Sequence, residues 1–558
     1  VTTALPRRTV LASGATAAGA VTLAPALPTA AAGGRRRRVF AHGVASGDPL
    51  PGGVVIWTRV TPTSAASPGS GRGPRVTVRW EVARDAGFRD VVRRGTFATG
   101  PSRDHTVKVD VTGLRPATWY HYRFTWDGVR SRTGRTRTAP ATRATPRNLR
   151  LGVVSCANWQ AGWFSAYRHL AKRDDLHAVV CLGDYLYEYA PGEYGMGQGN
   201  VDVRRHDPPR EMVDLGHYRR RHAQYKTDPD LQELHAVAPW IVTWDDHEVT
   251  NDQWRRGAEN HQPGEGDYLR RRARAHRAYD EWMPVRLSGT ADLRDGTRLF
   301  RSLRFGRLAQ LSMLDLRTHR SQQAADPTTV SDPKRTITGR RQMAWLRGAL
   351  DRRPQWKLVG NPVMIAPVDF GTLPDALTGA VRDVTGLLPE DGVPYNTDQW
   401  DGYTADRNRV FAHIADRGLR DVVFVTGDIH SGWACELPYD AATYAYENPA
   451  RRTAGVEFVC SSVTSNNLKD ITGDPTGATS TAVEEGIRAN NRHVRYLNFD
   501  DHGFSVLDLT PERAQMDWYV LTGPRDDRSA GIRHETSWRT RSGTGRIEQV
   551  DTPVGGPA

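Results

Sequence analysis

Four short apolar runs limit what this chain can fold into, because each stops at side chains able to hold a metal ion. LRLGVVSC ends at Cys156, and HAVVCLGD ends at Asp184 with Tyr187 three residues on. WIVTWDDH ends at Asp245, Asp246 and His247, and DVVFVTGDIH ends at Asp428 and His430. Each run is rich in Val, Ile and Leu and bounded by polar residues, which is how a strand buried on both faces of a parallel sheet reads. Ligands of open α/β sheets gather beyond the carboxyl ends of the strands, so segments scattered along the sequence can meet at one rim.

A chain of 558 residues is too long for one ordinary core and implies at least two domains. Lys and Arg outnumber Asp and Glu by 76 to 63, but the excess is nearly all arginine and is spread out; only Arg35 to Arg38 form a compact basic run. That distribution favours anionic substrates and surfaces without marking a nucleic-acid-binding module. Arg7 and Arg8 precede an uncharged stretch that closes in the small-residue segment PALPTAAAGG. This order reads as a twin-arginine signal over residues 1–33, hence a secreted protein. No other segment has the unbroken apolar length of a membrane-spanning helix. Four cysteines are too few to staple a secreted chain of this size; Cys435 and Cys460 lie in neighbouring extended segments, and their pairing stays open.

From residue 39 to 138, VTVRWEV, TVKVDV and WYHYRF alternate apolar with polar residues between Gly, Pro and Asp, which predicts a half-buried antiparallel sandwich. LRPATWYHYRF, with Leu114, Pro116, Thr118 and Tyr120, resembles the tyrosine corner of fibronectin type III and immunoglobulin-like domains. Residues 139–149 read as a Pro- and Thr-rich linker, 150–522 as the catalytic domain and 523–558 as a C-terminal extension. Within 150–522, Trp163, Phe164, Tyr167 and Leu170 predict a helix directly after the Cys156 strand. Further helical patterns run over Gln342–Leu350 and around Tyr268, Ala275 and Tyr279. The fold class is α/β (α+β): layered central sheets flanked by helices, preceded by a small β-sandwich domain.

The chemistry follows from the cluster. Phosphate-ester hydrolysis needs a nucleophile made from water and positive charge against the phosphoryl oxygens, and two metals about 3.5 to 4 Å apart supply both. A carboxylate such as Asp184 can bridge them. Thiolate and tyrosinate suit a trivalent or soft first metal, whereas carboxylate and amide oxygens suit a harder ion such as calcium. The same residues admit plainer readings: Asp245 and Asp246 as a helix N-cap pair, Asp184 as the start of a turn. The alternating Tyr185, Tyr187 and Tyr189 put one face toward core or cleft, with Tyr187 taken as the ligand. The serines of SSVTSNN lack a G-x-S-x-G elbow, which argues against a serine nucleophile.

The set SCANW, LGDYLYEY, WDDHEVTND and GDIHSGW, behind a twin-arginine leader and a small β-domain, resembles the alkaline phosphatase D (PhoD-like) family of metallophosphoesterases, which includes secreted actinobacterial members with phospholipase D activity. The resemblance covers about residues 40 to 520. It implies that Cys156, Asp184, Tyr187 and His430 hold an iron(III), with Asp184 bridging to a second site for calcium, one or two ions, and with zinc or manganese disfavoured. Asn251 resembles the asparagine of the second metal, Asp246 competes for that place, and Asp428 falls between or beside the two ions. His247 follows Asp246 as histidine follows asparagine in the GNHE motif of the wider superfamily, which makes it the proton donor to the leaving alkoxide. Where other metallophosphatases place a histidine after the next apolar run, this chain has Asn361, a weaker second-site candidate.

The resulting expectation is a secreted, metal-dependent phosphoric ester hydrolase acting as a monomer on an anionic phosphate ester, with phospholipid, wall teichoic acid and nucleotide esters all open as substrates. Phospholipase D action at the same site is the first alternative. A non-catalytic wall-binding protein with structural metals is the second.

Overall fold

The computed structural model describes residues 39–194, 202–287, 298–325, 329–368, 396–441, 444–445, 447–448 and 452–555. The twin-arginine segment lies outside the described residues. Two mixed β-sheets lie face to face, and alternation along each strand explains why. In Leu149–Val154 the side chains of Leu149, Leu151 and Val153 enter the layer between the sheets, while Val154 turns outward to the helices; in Ala178–Cys181, Ala178 and Val180 point inward, Val179 and Cys181 outward. The opposing sheet contributes Leu311, Leu358, Val423, Val425 and Phe458 to the same layer. Helices cover both outer faces. Tyr167, Leu170, Tyr218, Leu231 and Tyr279 pack on the first sheet, and Leu346, Val410, Ile414, Val483 and Ile487 on the second. Three of the helices are the ones expected, running Ser165–Ala171, Tyr268–Trp282 and Gly339–Leu350.

Among the described residues the first sheet has ten strands, centred on Leu149–Val154, Ala178–Cys181 and Trp240–Val242, which are neighbours and parallel. The second has seven among the described residues, with Val422–Thr426 at its middle, parallel to both Trp356–Asn361 and Thr453–Val459. All four motif-bearing strands therefore occupy sheet centres, which explains their unbroken apolar runs.

The composition-based boundaries do not coincide with the edges of the sheets. The N-terminal region is β-rich, and one of its sheets, Val76–Ala83, Val91–Thr99 and Trp119–Trp126 with two short strands, stands apart. Val44–Leu50, Gly53–Arg59 and Thr106–Thr112 instead extend the ten-stranded sheet, Gly47 pairing in parallel with Trp240. At the other end, Ile532–Arg541 and Ile547–Val550 pair onto Arg513–Leu521 in that sheet, so residues beyond 522 are part of the scaffold. Alternating strands look alike whether they form an edge of their own sheet or of a neighbour's, since period 2 reports exposure and not partner. The tyrosine corner is present: Tyr120 Oη accepts the Arg115 backbone N–H at 2.8 Å. Cys435 and Cys460 are free and buried; Cys435 faces the outer helices and Cys460 the layer between the sheets, so strand alternation keeps them apart.

Candidate metal centre

The four motif strands release their chains at one rim, and two glycines permit the approach. Gly183 has φ +108°, and a Cβ there would lie 2.5 Å from the Asp245 Cβ; a Cβ on Gly427 would lie 2.3 Å from the Ser155 Oγ. Only glycine fits at either position, which is why each GD pair begins as it does. Four of the proposed ligands then adopt left-handed backbone, at φ 58° for Cys156, 53° for Asp184, 68° for Asp428 and 55° for His430. Such conformations cost about 1 to 3 kcal/mol each outside glycine and persist where the surroundings over-determine them, characteristically at functional sites.

The side chains meet in overlapping groups. Ligand atoms of Cys156, Asp184 and His430 lie within 4.8 Å of one another; so do those of Asp184, Asp246 and His247, and those of Asp245, Asp246 and Asp428. Asp184 belongs to two groups, as a bridging carboxylate must. Tyr187 completes the first: its Oη donates to Asp184 Oδ2 at 2.9 Å, lies 3.3 Å from His430 Nε2 and accepts from Ser465 Oγ at 2.6 Å. His430 is aimed by its other nitrogen, with Nδ1 2.7 Å from the Asn466 carbonyl; burial lowers its pKa to about 4, leaving a neutral ring suited to metal ligation. Tyr185 is tied instead to Lys226 and His235 in the core.

A cation fits this donor set. Asp184 Oδ1 is buried and has no hydrogen-bond partner. Burial, with Asp246, Asp245 and Glu248 as like-charged neighbours, pushes the Asp184 carboxyl well above the usual range despite the pull of His247. Burial and Asp245 do the same to Asp428. So many carboxylates cannot all keep their charge in a dry site without bound positive charge.

His247 packs against Tyr187, its ring tilted by 32° at 4.1 Å between centroids, and places Nδ1 2.7 Å from Glu188 Oε2. Burial alone would raise the Glu188 carboxyl, but His247, Asn260 and the Asn251 amide outweigh it and hold it at about 2. Asp246 is fixed by the backbone amides of His247 and Asp252, at 3.0 and 2.6 Å. Asn251 lines the cavity and donates from Nδ2 to Glu259. Asn361 stands apart from the three donor groups: its amide oxygen accepts from the Trp400 indole, and its nitrogen lies within hydrogen-bond distance of Val363, Thr426 and Glu457, contacts that brace the strand end.

Several site residues escaped the sequence reading. Glu188 was visible inside LGDYLYEY, and Ser465 and Asn466 sit in the SSVTSNN stretch considered only for a nucleophile. Arg317 ends LAQLSMLDLR, a fifth apolar run finishing in a charge. The cavity over the centre has a volume of about 620 Å³. Its lining includes the polar Asn251 and Glu259 with Trp254, and the apolar Ile429, Leu468, Ile471, Val483 and Phe499.

The family of PhoD-like phosphatases matches residues 151–518, and its N-terminal domain matches residues 26–140. The chain belongs to the PhoD-like phosphatase family. It is 37% identical over 489 residues, 86% of this chain and 77% of the relative, to alkaline phosphatase D of Bacillus subtilis (strain 168). A solved structure described as "Structure of PhoD" superposes with a TM-score of 0.80 at 34% identity, covering 92% of each chain. As a PhoD-like phosphatase the chain is a phosphoric ester hydrolase, and the buried donor groups at its strand ends accord with metal dependence. Among the described residues no helix is long and apolar enough to cross a membrane.

Proposed function

We propose that this PhoD-like phosphatase hydrolyses phosphate esters at a two-ion centre, with an iron(III) held by Cys156, Asp184, Tyr187 and His430. A calcium-type ion would share Asp184 and draw on Asp246, Asn251 and Asp428. The observation that carries the reading is the unpartnered, buried Asp184 Oδ1 at the junction of two donor groups. When bound, the ions supply an acidified water and positive charge against the phosphoryl oxygens. The chain's own residues do the rest. Asn466 and Ser465 hold His430 and Tyr187 in place for the first ion. Glu188 takes the Nδ1 side of His247, which leaves Nε2 to give a proton to the leaving alkoxide. The expected substrate is an anionic phosphate ester, with wall teichoic acid and nucleotide esters within its chemical reach. We also propose export through a twin-arginine signal, on the order of Arg7, Arg8 and the small-residue segment after them.

Phospholipase D action is a second reading, favoured by the apolar wall of Leu468, Ile471, Val483 and Phe499 inside the cavity. A chromogenic phosphodiester tests the first reading. Turnover should fall to background on chelation and return on adding back iron and calcium; turnover that survives full metal removal would overturn the two-ion centre. Hydrolysis of phosphatidyl vesicles at rates matching the soluble diester would favour the second.

A further inference from the structure

Behind the Cys156–Asp184–His430 group, one ring ties together the two ends of the segment that carries Ser465 and Asn466. His502 is buried and stands at the entry to Gly503–Leu509, the strand of the ten-stranded sheet that pairs with Leu149–Val154. Ser462, which it faces, follows Thr453–Val459 of the opposite sheet. At one end of the ring, Nδ1 lies 2.9 Å from Ser462 Oγ, whose own proton goes to the Ser465 carbonyl at 2.8 Å. At the other, Nε2 lies 2.8 Å from Asp470 Oδ2 and 3.3 Å from Asn467 Nδ2. Backbone bonds fix the ring's own position: the Gly503 amide donates to the Ser462 carbonyl at 3.0 Å, and the Leu521 amide to that of His502 at 2.9 Å.

Asp470 is a firm anchor. Its Oδ2 accepts from the Asn467 amide at 3.1 Å, in the capping box of Leu468–Thr472, and lies 3.0 Å from Arg525 Nη1, which also donates to the Thr464 carbonyl at 2.6 Å. Burial alone would raise the Asp470 carboxyl, but His502, Arg525 and the Asn467 amide outweigh it and hold it at about 2. Ser462, His502 and Asp470 have the composition of a hydrolytic triad, yet Ser462 is fully buried and its proton is spent on a backbone carbonyl, so it has no nucleophile's access. The contacts lead to the metal centre instead. Ser465 Oγ reaches Tyr187 Oη at 2.6 Å, and the Asn466 carbonyl lies 2.7 Å from His430 Nδ1.

We propose that His502 is a positioning residue for the phosphatase centre: by holding Ser462 against Asp470 it sets the segment between them, so that Ser465 and Asn466 meet Tyr187 and His430. Groups that orient metal ligands from behind typically contribute about 10 to 100-fold in metal affinity or activity; His502 acts one contact further out, which puts its expected effect at roughly tenfold. The proposal deepens the two-ion reading and rests on it for the identity of the first ion.

The test compares full-length, metal-loaded variants by the rate at which a chelator strips the first ion, by the visible band and by turnover of a chromogenic phosphodiester. His502→Leu fills the space without polar contacts and should lose the ion about tenfold faster, shift the band and lower kcat with KM little changed. His502→Asn, whose amide can still reach Ser462, should recover most of each. A His502→Leu protein with the parent's ion retention and turnover overturns the proposal, as does one indistinguishable from His502→Asn, which would make the ring a packing element. Should His502→Leu fail to fold, Ser462→Ala removes the other half of the contact and should show the same faster loss; parent-like retention there overturns the proposal. A colourless parent would sink the iron assignment, while the ordering of the variants, read by elemental analysis of whichever ion is held, would still decide the role of His502.

Discussion

Asp184→Asn is expected to abolish nearly all phosphoesterase activity and to lower the content of both ions together. The carboxylate belongs to the Cys156–His430 group and to the Asp246–His247 group at once, and its Oδ1 has no protein partner to fall back on. Asparagine keeps the volume and one oxygen but loses the charge that would offset the two proposed cations. Metal-centred charge stabilisation is worth several kcal/mol, and each 1.36 kcal/mol is tenfold in rate, so a loss of at least about 10³-fold is expected. Elemental analysis beside a rate measurement checks it. A variant that keeps both ions and ordinary turnover would remove Asp184 from the bridge.

The second large effect belongs to His247. General acid catalysis is worth typically about 10² to 10⁴-fold, and it matters in proportion to how poor the leaving group is. His247→Ala should therefore slow alkyl esters by that factor and activated aryl esters far less. The ring is held for the task by Glu188 through Nδ1 and by the face of Tyr187 at 4.1 Å. Because its ligand atoms also fall within reach of Asp184 and Asp246, the competing role is that of a metal ligand. Equal losses on alkyl and aryl esters, accompanied by loss of an ion, would establish that role instead.

Much of this centre was legible before any coordinates. An apolar run ending in Cys, Asp or His is a local pattern, and burial of a strand on both faces leaves a mark that survives in one dimension. Cys156, Asp184, Tyr187, Asp246, His247, Asn251, Asp428 and His430 all lie at or beside one rim. What was not legible depends on geometry that sequence does not encode locally. The left-handed backbone at Cys156, Asp184, Asp428 and His430 leaves only a weak mark in residue type, since Asp and His visit that conformation more readily than most residues but far less than glycine. Asn361 shares the strand-end position of the rim residues, but the Trp400 indole that donates to its oxygen comes from 39 residues away. Arg317 looked like one more arginine among many until the carboxylates of Asp245, Asp246, Asp398 and Asp428 closed around it. The joining of Val44–Leu50 to Trp240–Val242 hid for a related reason, since a strand's pattern records which face is wet and not which strand lies beside it.

The identity of the first ion is the most exposed part of the proposal, and one measurement addresses it directly: the visible absorption spectrum of the purified protein and of Tyr187→Phe, each with its iron content. A tyrosinate bound to iron(III) gives a charge-transfer band. The parent should therefore be coloured, Tyr187→Phe should lose or strongly shift the band, and Tyr185→Phe, whose hydroxyl belongs to Lys226 and His235, should leave it unchanged. A colourless and fully active parent carrying zinc in place of iron would contradict the iron(III) centre.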